Sequence, residues 1–170
     1  MTRHLIRQAD LDWEGAFRGR HPFNPASEMS MIRLGELSGL KRLGVNLIRI
    51  PPGKESFIPH AHTMEEELVL VIEGSGEVVL DGVSSSIGPG DYVGFPTDGV
   101  VHNIANTGQA DLIYLTVGER SRAEVADMPT IGRTTVFRNN RMTLFGPDGV
   151  EELTAEEWFA RMQLGPPPEQ

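Results

Sequence analysis

The stretch IPHAHTMEEELVLVIEGSG, residues 58–76, places two histidines one residue apart and follows them with three glutamates and an apolar run. In an extended strand, His60 and His62 point to the same side with their Cα atoms about 6–7 Å apart. Two imidazoles at that separation can bind one metal ion. A single histidine is more often a surface or core residue, but His-x-His followed within five residues by glutamate weakens that ordinary interpretation.

The sequence around this stretch predicts β-structure from residue 40 to residue 118. Short runs rich in Val, Ile, Leu and Tyr alternate with Gly and Pro turns, as in GVNLIRI, ELVLVI, EVVLDG, YVGFP and LIYLTVG. Several short strands with turn residues between them are typical of an all-β sandwich or barrel. The run ELVLVI is apolar at odd and even positions, so we expect an extra layer or a partner subunit to cover its second face.

An N-terminal extension, residues 1–39, precedes the predicted barrel. It contains the turn-rich connector HPFNP. We expect a short helix near Ala9–Phe17 and a strand at Ser30–Leu37. This arm is long enough to cover the sheet of a neighbouring subunit.

A C-terminal extension, residues 119–170, follows the barrel and is predicted to contain a helix at about 155–164. Thr154 is the expected N-cap, Glu157 is its capping-box partner, and Gly165 is the expected end. The apolar stripe of this helix indicates packing on the barrel or on a second subunit. That stripe consists of Trp158, Phe159 and Met162.

The composition excludes several kinds of function. A chain of 170 residues is most simply one domain with extensions, and the absence of cysteine excludes disulfides, zinc–thiolate sites and thiol nucleophiles. The formal net charge is −9 and the 15 basic residues are scattered, so we expect no nucleic-acid or membrane partner. The N-terminus lacks the apolar run of a signal peptide, and no run could span a bilayer. We therefore expect a cytoplasmic protein.

A second stretch, GDYVGFPTDGVVHNIAN at residues 90–106, places another histidine in an apolar strand after a Pro/Gly turn. Together the two stretches resemble the two motifs of the cupin superfamily. The first motif corresponds to Gly53, His60, His62, Glu67 and Gly74, and the second to Gly90, Pro96, Gly99, His102 and Asn106. The resemblance implies an all-β, cupin-type double-stranded β-helix (jelly-roll) barrel, with short N- and C-terminal extensions and one short C-terminal helix.

The spacing departs from the family pattern at two turns, and one ligand position has two candidates. One extra residue precedes the His-x-His pair and one more follows Pro96, which affects loop shape rather than ligand spacing. Strand parity counted from His62 favours Glu66 as the next residue on the same face. The cupin spacing to Gly74 favours Glu67, which requires a turn or bulge across TMEE. We adopt Glu67 and expect Glu66 to be solvated at the rim.

The cupin resemblance implies a metal site at His60, His62, Glu67 and His102. Three imidazoles and one carboxylate suit one divalent transition metal ion per chain, namely Mn, Fe, Co, Ni, Cu or Zn. We therefore predict a metal-binding cupin that acts as a metalloenzyme on a small organic molecule, by Lewis-acid chemistry of isomerase type or oxygen-activating chemistry of dioxygenase type. The alternative is a non-catalytic cupin that binds metal and ligand, as a sensor or around a structural metal.

Candidate substrate-binding residues share strand faces or loops with the predicted ligands. The inferred lining is mainly apolar and suits a small carbonyl or phenolic ligand, although core packing also explains each residue. A sugar phosphate would need a cation, and Arg49 is the one candidate. The resemblance also implies a homodimer, because cupin barrels commonly pair through strands. The candidate residues are Phe57, Met64, Val69, Phe95, Ile104, Tyr114 and Arg49.

Overall fold

The structure, a computed structural model, describes residues 3–164 and is built almost entirely from antiparallel strands. Two short α-helices interrupt them, α1 (Leu34–Ser38) and α2 (Ala155–Met162). The strands are β1 (Phe17–Gly19), β2 (Met29–Ile32), β3 (Leu43–Ile50), β4 (Ala61–His62), β5 (Glu67–Glu73), β6 (Gly76–Leu80), β7 (Val83–Ile87), β8 (Tyr92–Phe95), β9 (His102–Ala105), β10 (Leu112–Glu119), β11 (Ala123–Met128), β12 (Arg133–Arg138), β13 (Arg141–Gly146) and β14 (Gly149–Thr154).

The strands form two opposed layers. One layer is a six-stranded sheet in the order β1-β2-β3-β10-β5-β8. The other consists of a three-stranded sheet, β7-β6-β9, and a five-stranded sheet, β14-β13-β12-β11-β4. An antiparallel bridge between His60 and His102 joins these two smaller sheets. The predicted all-β barrel is confirmed, and the bridge that links its second layer is formed by two of the predicted ligands.

The core lies between the layers and is filled by alternate residues of each strand. Val69 and Val71 of β5 and Tyr114 of β10 point inward and are buried, as are Val78 and Ile104 from the opposite layer. The intervening residues of β5 point outward. One face of this apolar strand therefore packs in the core, and its other face is half-exposed. The outward residues are Leu68, Leu70 and Ile72.

The two predictions made for the N-terminal extension are wrong in detail. Instead of a helix at Ala9–Phe17 there is one 3-10 turn at Gln8–Asp10, and the Asp12 carboxylate then accepts hydrogen bonds from the backbone N–H groups of Glu14 and Gly15 at 3.0 and 2.9 Å. An aspartate bonded to its own backbone favours a turn over a helix. The predicted strand Ser30–Leu37 is strand only as far as Ile32, because α1 follows and ends at Gly39, whose φ is +80°.

The arm pairs with its own chain. β2 runs antiparallel to β3, and Met31 lies opposite Ile48 in that pairing. The residues that were expected to cover a neighbouring subunit therefore extend the sheet of the same barrel. No helix within residues 3–164 is long and apolar enough to cross a membrane.

The predicted C-terminal helix is confirmed as α2. The Thr154 hydroxyl accepts from the Glu157 backbone N–H at 3.1 Å, and the Glu157 carboxylate accepts from the Thr154 backbone N–H at 2.7 Å. Trp158 and Met162 are buried against the barrel, whereas Phe159 is 41% exposed. The predicted end of the helix at Gly165 lies outside the described residues.

The sequence analysis missed the four strands β11–β14, which occupy most of the C-terminal extension. Their exposed positions mix charged residues with the apolar Phe145 and Val150, so no clear alternation of apolar and polar residues marks these strands. They matter for the site because β11 pairs with β4, with Ala126 opposite His62.

Candidate metal centre

Three histidines meet where the two smaller sheets join. The His60 backbone N–H donates to the His102 carbonyl at 3.1 Å, and the His102 N–H donates to the His60 carbonyl at 2.8 Å. This bridge sets their ring centroids 4.6 Å apart. His62 follows after buried Ala61, and its ring centroid lies 4.9 Å from that of His60. Period-two alternation along the strand thus places both imidazoles of the pair on one face.

The fourth member comes from the opposite layer. Glu67 is the first residue of β5, and its Oε2 lies 3.5 Å from His62 Nε2 and 3.7 Å from His102 Nε2. Its Oε1 accepts a hydrogen bond from the Thr116 hydroxyl at 2.5 Å. Glu67 rather than Glu66 belongs to the group, because the chain turns between β4 and β5 and strand parity does not carry across that turn.

Each imidazole is oriented by a hydrogen bond at Nδ1. His60 Nδ1 lies 2.8 Å from the Ile58 carbonyl and His102 Nδ1 lies 3.1 Å from the Val100 carbonyl. A carbonyl can only accept, so both Nδ1 atoms carry a proton, which leaves Nε2 as the nitrogen of each ring that could bind a metal ion. The Nε2 atoms of His62 and His102 are buried without a hydrogen-bond partner among the described residues. Buried polar atoms without partners are rare, and here they face one another.

These four side chains fit a metal ion. Each offers one ligand atom, and all four atoms lie within 4.8 Å of one another. Mixed imidazole and carboxylate ligands suit Mn, Fe, Co, Ni, Cu or Zn. Hydrogen bonds that fix the outer nitrogen of each imidazole are the usual support of metal-binding histidines. The ion that binds, and its number per chain, stay predictions.

The protonation states also suit a cation. Burial, together with the neighbouring His102 and His62, lowers the pKa of His60 to about 3. Burial alone would raise the pKa of Glu67, but the neighbouring His102 and His62 imidazoles and the hydrogen bond from Thr116 outweigh it and hold that pKa below its usual range. The cluster therefore presents a carboxylate beside a neutral imidazole at neutral pH.

Glu124 is a supporting residue that the sequence analysis missed. It lies on β11 with its side chain buried, and its Oε1 lies 3.3 Å from His62 Nδ1 and accepts from the Thr63 backbone N–H at 3.1 Å. The carboxylate thus orients His62 as the two carbonyls orient the other histidines. The sequence offered one sign of this role. Glu124, Ala126 and Met128 occupy alternate positions and so share one face of a strand, but the segment was not recognised as a strand.

Replacing Glu124 with alanine should weaken metal affinity about 10- to 100-fold, the range measured for outer partners of metal-binding histidines. Glu124→Gln should weaken it less, because the amide oxygen can still accept from His62 Nδ1. Competition titration with a chelator measures both affinities. The control is Glu77→Ala, which removes a surface carboxylate bonded to Ser84. Equal affinities in the Glu124→Ala and Glu77→Ala variants would contradict the supporting role.

A cavity of about 240 Å³ opens beside the cluster, and apart from the three ligands it is lined mainly by apolar groups. Phe57 is the one predicted substrate-binding residue in its wall. The sequence analysis missed the rest of the wall, since most of it comes from outside residues 40–118. The lining residues are His21, Phe57, Ile58, His60, His62, Glu67, Ala126, Met128, Thr135, Met142 and Trp158.

The other candidate substrate-binding residues lie elsewhere. Val69, Ile104 and Tyr114 are buried in the core, and Met64 is 55% exposed. Phe95 is also buried, and its ring stacks on His102 with the centroids 3.8 Å apart. It packs on a ligand without lining the cavity.

Arg49, the one candidate cation for a phosphate, does not line the cavity either. Its guanidinium lies 4.6 Å from the ring centroid of Trp13, and its Nε lies 3.8 Å from an Asp111 carboxylate oxygen. Arg49 follows the buried Ile48 and precedes the buried Ile50 on β3, so strand alternation turns it to the outer face.

Comparison with known proteins identifies the class. Residues 46–118 match the cupin domain family. The chain is similar to a protein from Acidithiobacillus ferrooxidans assigned as a sugar phosphate isomerase, with 30% identity and a TM-score of 0.77 over 91% of this chain and 94% of that one. It is also similar to a cupin-superfamily sugar phosphate isomerase from Silicibacter pomeroyi, with 29% identity and a TM-score of 0.64 over 86% and 92% of the two chains. A predicted oxalate decarboxylase from Thermotoga maritima is 25% identical, with a TM-score of 0.54 over 65% and 98%.

The chain belongs to the cupin superfamily, and its antiparallel barrel is the cupin jelly roll. The resemblance inferred from the two motifs is thus confirmed. Among curated proteins, none matches this sequence.

Proposed function

We propose that this protein is a metalloenzyme that binds one divalent transition metal ion per chain at His60, His62, Glu67 and His102 and acts on a small organic molecule in the adjacent cavity. The observation that carries this proposal is the pair of buried, unpartnered Nε2 atoms of His62 and His102, set beside the Glu67 carboxylate, with His62 and Glu67 in the wall of a cavity. A structural metal would not need a cavity beside it. A cavity lined by three of the four proposed ligands favours turnover over a closed structural site.

Lewis-acid chemistry of isomerase type is the reaction class we favour. The two more similar relatives are described as sugar phosphate isomerases, which supports a substrate with a hydroxyl next to a carbonyl. A divalent ion bound at the site would polarise such a carbonyl. The chain's own residues hold the site, orient the imidazoles and exclude water through the apolar walls formed by Phe57, Met142 and Trp158.

The substrate differs from that of the relatives in carrying no phosphate. No lysine or arginine is among the described residues that line the cavity, and Arg49 is bound on the outer face. A phosphate dianion buried without a cation would be strongly unfavourable. We therefore infer a small hydroxy-carbonyl compound without a phosphate group.

Metal analysis followed by a substrate screen tests this proposal. The natively purified protein should contain about one transition metal ion per chain, and metal-loaded protein should convert hydroxy-aldehydes or hydroxy-ketones faster than their phosphorylated counterparts. Preferential turnover of the phosphorylated compounds would contradict the substrate class. Metal and ligand binding without turnover of any compound would favour the non-catalytic alternative.

We also propose that the chain forms a homodimer through the outer face of its six-stranded sheet. The register aligns two uncharged rows across four strands of that face, and Tyr92 at the end of one row is 65% exposed. An apolar face of this kind is unfavourable in water and suits a two-fold contact with a second copy. The rows are Leu47–Leu115–Leu70–Tyr92 and Val45–Val117–Leu68–Gly94.

Replacing Leu70 with arginine should convert the dimer into a monomer, because the change places a charge at the centre of the proposed interface. Leu70 is half-exposed in the single chain, so the barrel should still fold. Light scattering coupled to gel filtration measures the molecular mass. Val83→Arg is the matched control, since Val83 is 67% exposed on the other layer and should leave the mass unchanged. A Leu70→Arg protein with the mass of the unmodified protein would contradict the interface.

A further inference from the structure

His21, in the N-terminal arm, is held against the cavity by a set of hydrogen bonds. Its backbone N–H donates to the Ser27 hydroxyl at 2.9 Å, and that hydroxyl donates to the Ser56 carbonyl. The Asn24 side chain donates to the Phe57 carbonyl at 3.0 Å. The connector HPFNP is therefore fixed to the segment that leads into the metal centre, and its histidine is a permanent part of the cavity wall.

Aromatic rings surround the His21 imidazole. Its centroid lies 5.7 Å from that of Phe23, 6.0 Å from that of Phe57 and 5.7 Å from that of Trp158. The Phe57 and Trp158 rings line the same cavity, and Phe57 also contacts His60 with a centroid separation of 6.1 Å. Phe57 thus contacts both His21 and His60, and all three side chains line the one cavity.

The hydrogen bonding of His21 fixes its tautomer. The Phe23 backbone N–H donates to His21 Nδ1 at 3.4 Å, so Nδ1 carries a lone pair and Nε2 carries the proton. Burial lowers the pKa of His21 to about 4, which keeps the imidazole neutral at pH 7. Within residues 3–164, Nε2 makes no hydrogen bond. The imidazole, which belongs to the mainly apolar wall of the cavity, therefore has one donor that no described residue accepts.

We infer that His21 is a specificity-determining residue, whose Nε2–H donates a hydrogen bond to a substrate oxygen remote from the metal-binding end. The inference rests on the proposed function. It requires the substrate to carry a second polar group, the oxygen that accepts from His21, in addition to the group that binds the metal. The cavity volume of about 240 Å³ suits a small molecule. A site built around a buried donor rejects analogues that lack the acceptor, because the donor is then left unpaired.

Two matched pairs of carboxylic acids test the donor in zinc-loaded protein. The first pair is 4-oxopentanoate and 4-methylpentanoate, in which a carbonyl oxygen takes the place of a methyl group and a hydrogen at C4. The second pair, 5-oxohexanoate and 5-methylhexanoate, is one methylene longer. Calorimetry should show that the oxo acid of at least one pair binds about 10-fold tighter than its methyl analogue, the usual discrimination of a buried hydrogen bond. Equal binding within both pairs would overturn the inference.

Variants of His21 show whether this residue causes the preference. His21→Phe keeps an aromatic ring without a donor and should abolish the preference for the oxo acid. His21→Gln places an amide N–H near the position of Nε2 and should keep part of it. Zinc stoichiometry should be unchanged in both variants, since His21 is not a ligand. An undiminished preference in the His21→Phe protein would overturn the inference.

Nitrogen NMR of the metal-free protein tests the tautomer separately from the metal. At pH 7 the His21 imidazole should show a protonated Nε2 and an unprotonated Nδ1, and His21→Phe assigns the signals. A proton on Nδ1, or on both nitrogens, would overturn the inference even if metal binds as proposed. Failure of zinc to bind, with the Nε2–H tautomer observed, would contradict the proposed function alone.

Discussion

Replacing His62 with alanine will remove most of the bound metal and leave the barrel folded. Loss of an outer partner of a metal-binding histidine costs about 10- to 100-fold in affinity, and loss of the histidine itself should cost at least the upper end of that range. The site would keep His60, Glu67 and His102, but with the Glu124-oriented imidazole gone. Metal analysis after dialysis should show about one ion per chain in the unmodified protein and a small fraction of that in the variant.

The fold should survive because His62 contributes to the sheet only through backbone hydrogen bonds, which do not depend on its side chain. Ala126 lies opposite His62 in the β4–β11 pairing, and alanine keeps that pairing. In the metal-free protein His62 Nε2 is a buried atom without a partner, so its removal also takes away an unfavourable group. Circular dichroism and urea unfolding should therefore resemble those of the unmodified protein without metal.

The exposed His4 supplies the control for this experiment. His4→Ala removes the same side chain from the arm and should leave the metal content unchanged. Full metal stoichiometry in the His62→Ala protein, or an equal loss in both variants, would contradict the proposed site. Loss in the His62→Ala variant alone would tie metal binding to this imidazole.

The cluster of three histidines and one glutamate could be predicted from sequence because its spacing is short and its composition is unusual. His60 and His62 are separated by one residue, and strand alternation alone places both imidazoles on one face. His102 and Glu67 could be added only through the cupin spacing, since strand parity favoured Glu66. The turn between β4 and β5 explains this failure, because alternation holds only within a continuous strand.

The cavity wall could not be predicted, because it depends on contacts between residues that are distant in the chain. Glu124 reaches His62 across 62 positions, and Trp158 reaches the cavity from the C-terminal helix. No local pattern encodes such contacts. The helix stripe predicted that Trp158 would be buried, but not that it would face a cavity. His21 was hidden for a similar reason, since HPFNP resembles an ordinary turn-rich connector.

Arg49 shows the opposite error. It was predicted to line the site, but it lies on the outer face of the sheet and not in the cavity wall. The PPG turn interrupts β-structure between Arg49 and His60, so the face of one residue could not be transferred to the other. On β3 the flanking Ile48 and Ile50 occupy the core. Arg49 is consequently outside, where Trp13 and Asp111 hold it.

Replacing Gly74 with alanine should destabilise the barrel by about 2–5 kcal/mol, the sum of two separate costs. Gly74 has φ of +80°, and a left-handed conformation costs a residue with a Cβ about 1–2 kcal/mol. A Cβ at this position would also lie 2.2 Å from the Asp111 carbonyl oxygen and 2.9 Å from the Leu112 Cα. Both atoms belong to backbone and cannot rotate away, so relief requires a shift of the strands at a cost of about 1–3 kcal/mol.

Gly53, the first glycine of the same motif, is a matched control that isolates the steric part of this cost. It has φ of +72°, but a Cβ there would meet nothing within 4 Å. Gly53→Ala should therefore lose only the conformational part, about 1–2 kcal/mol. Urea unfolding measures both free energies, and failure of Gly74→Ala to fold would agree with the larger cost. Equal losses in the two variants would show that close packing against Asp111 does not explain the glycine at position 74.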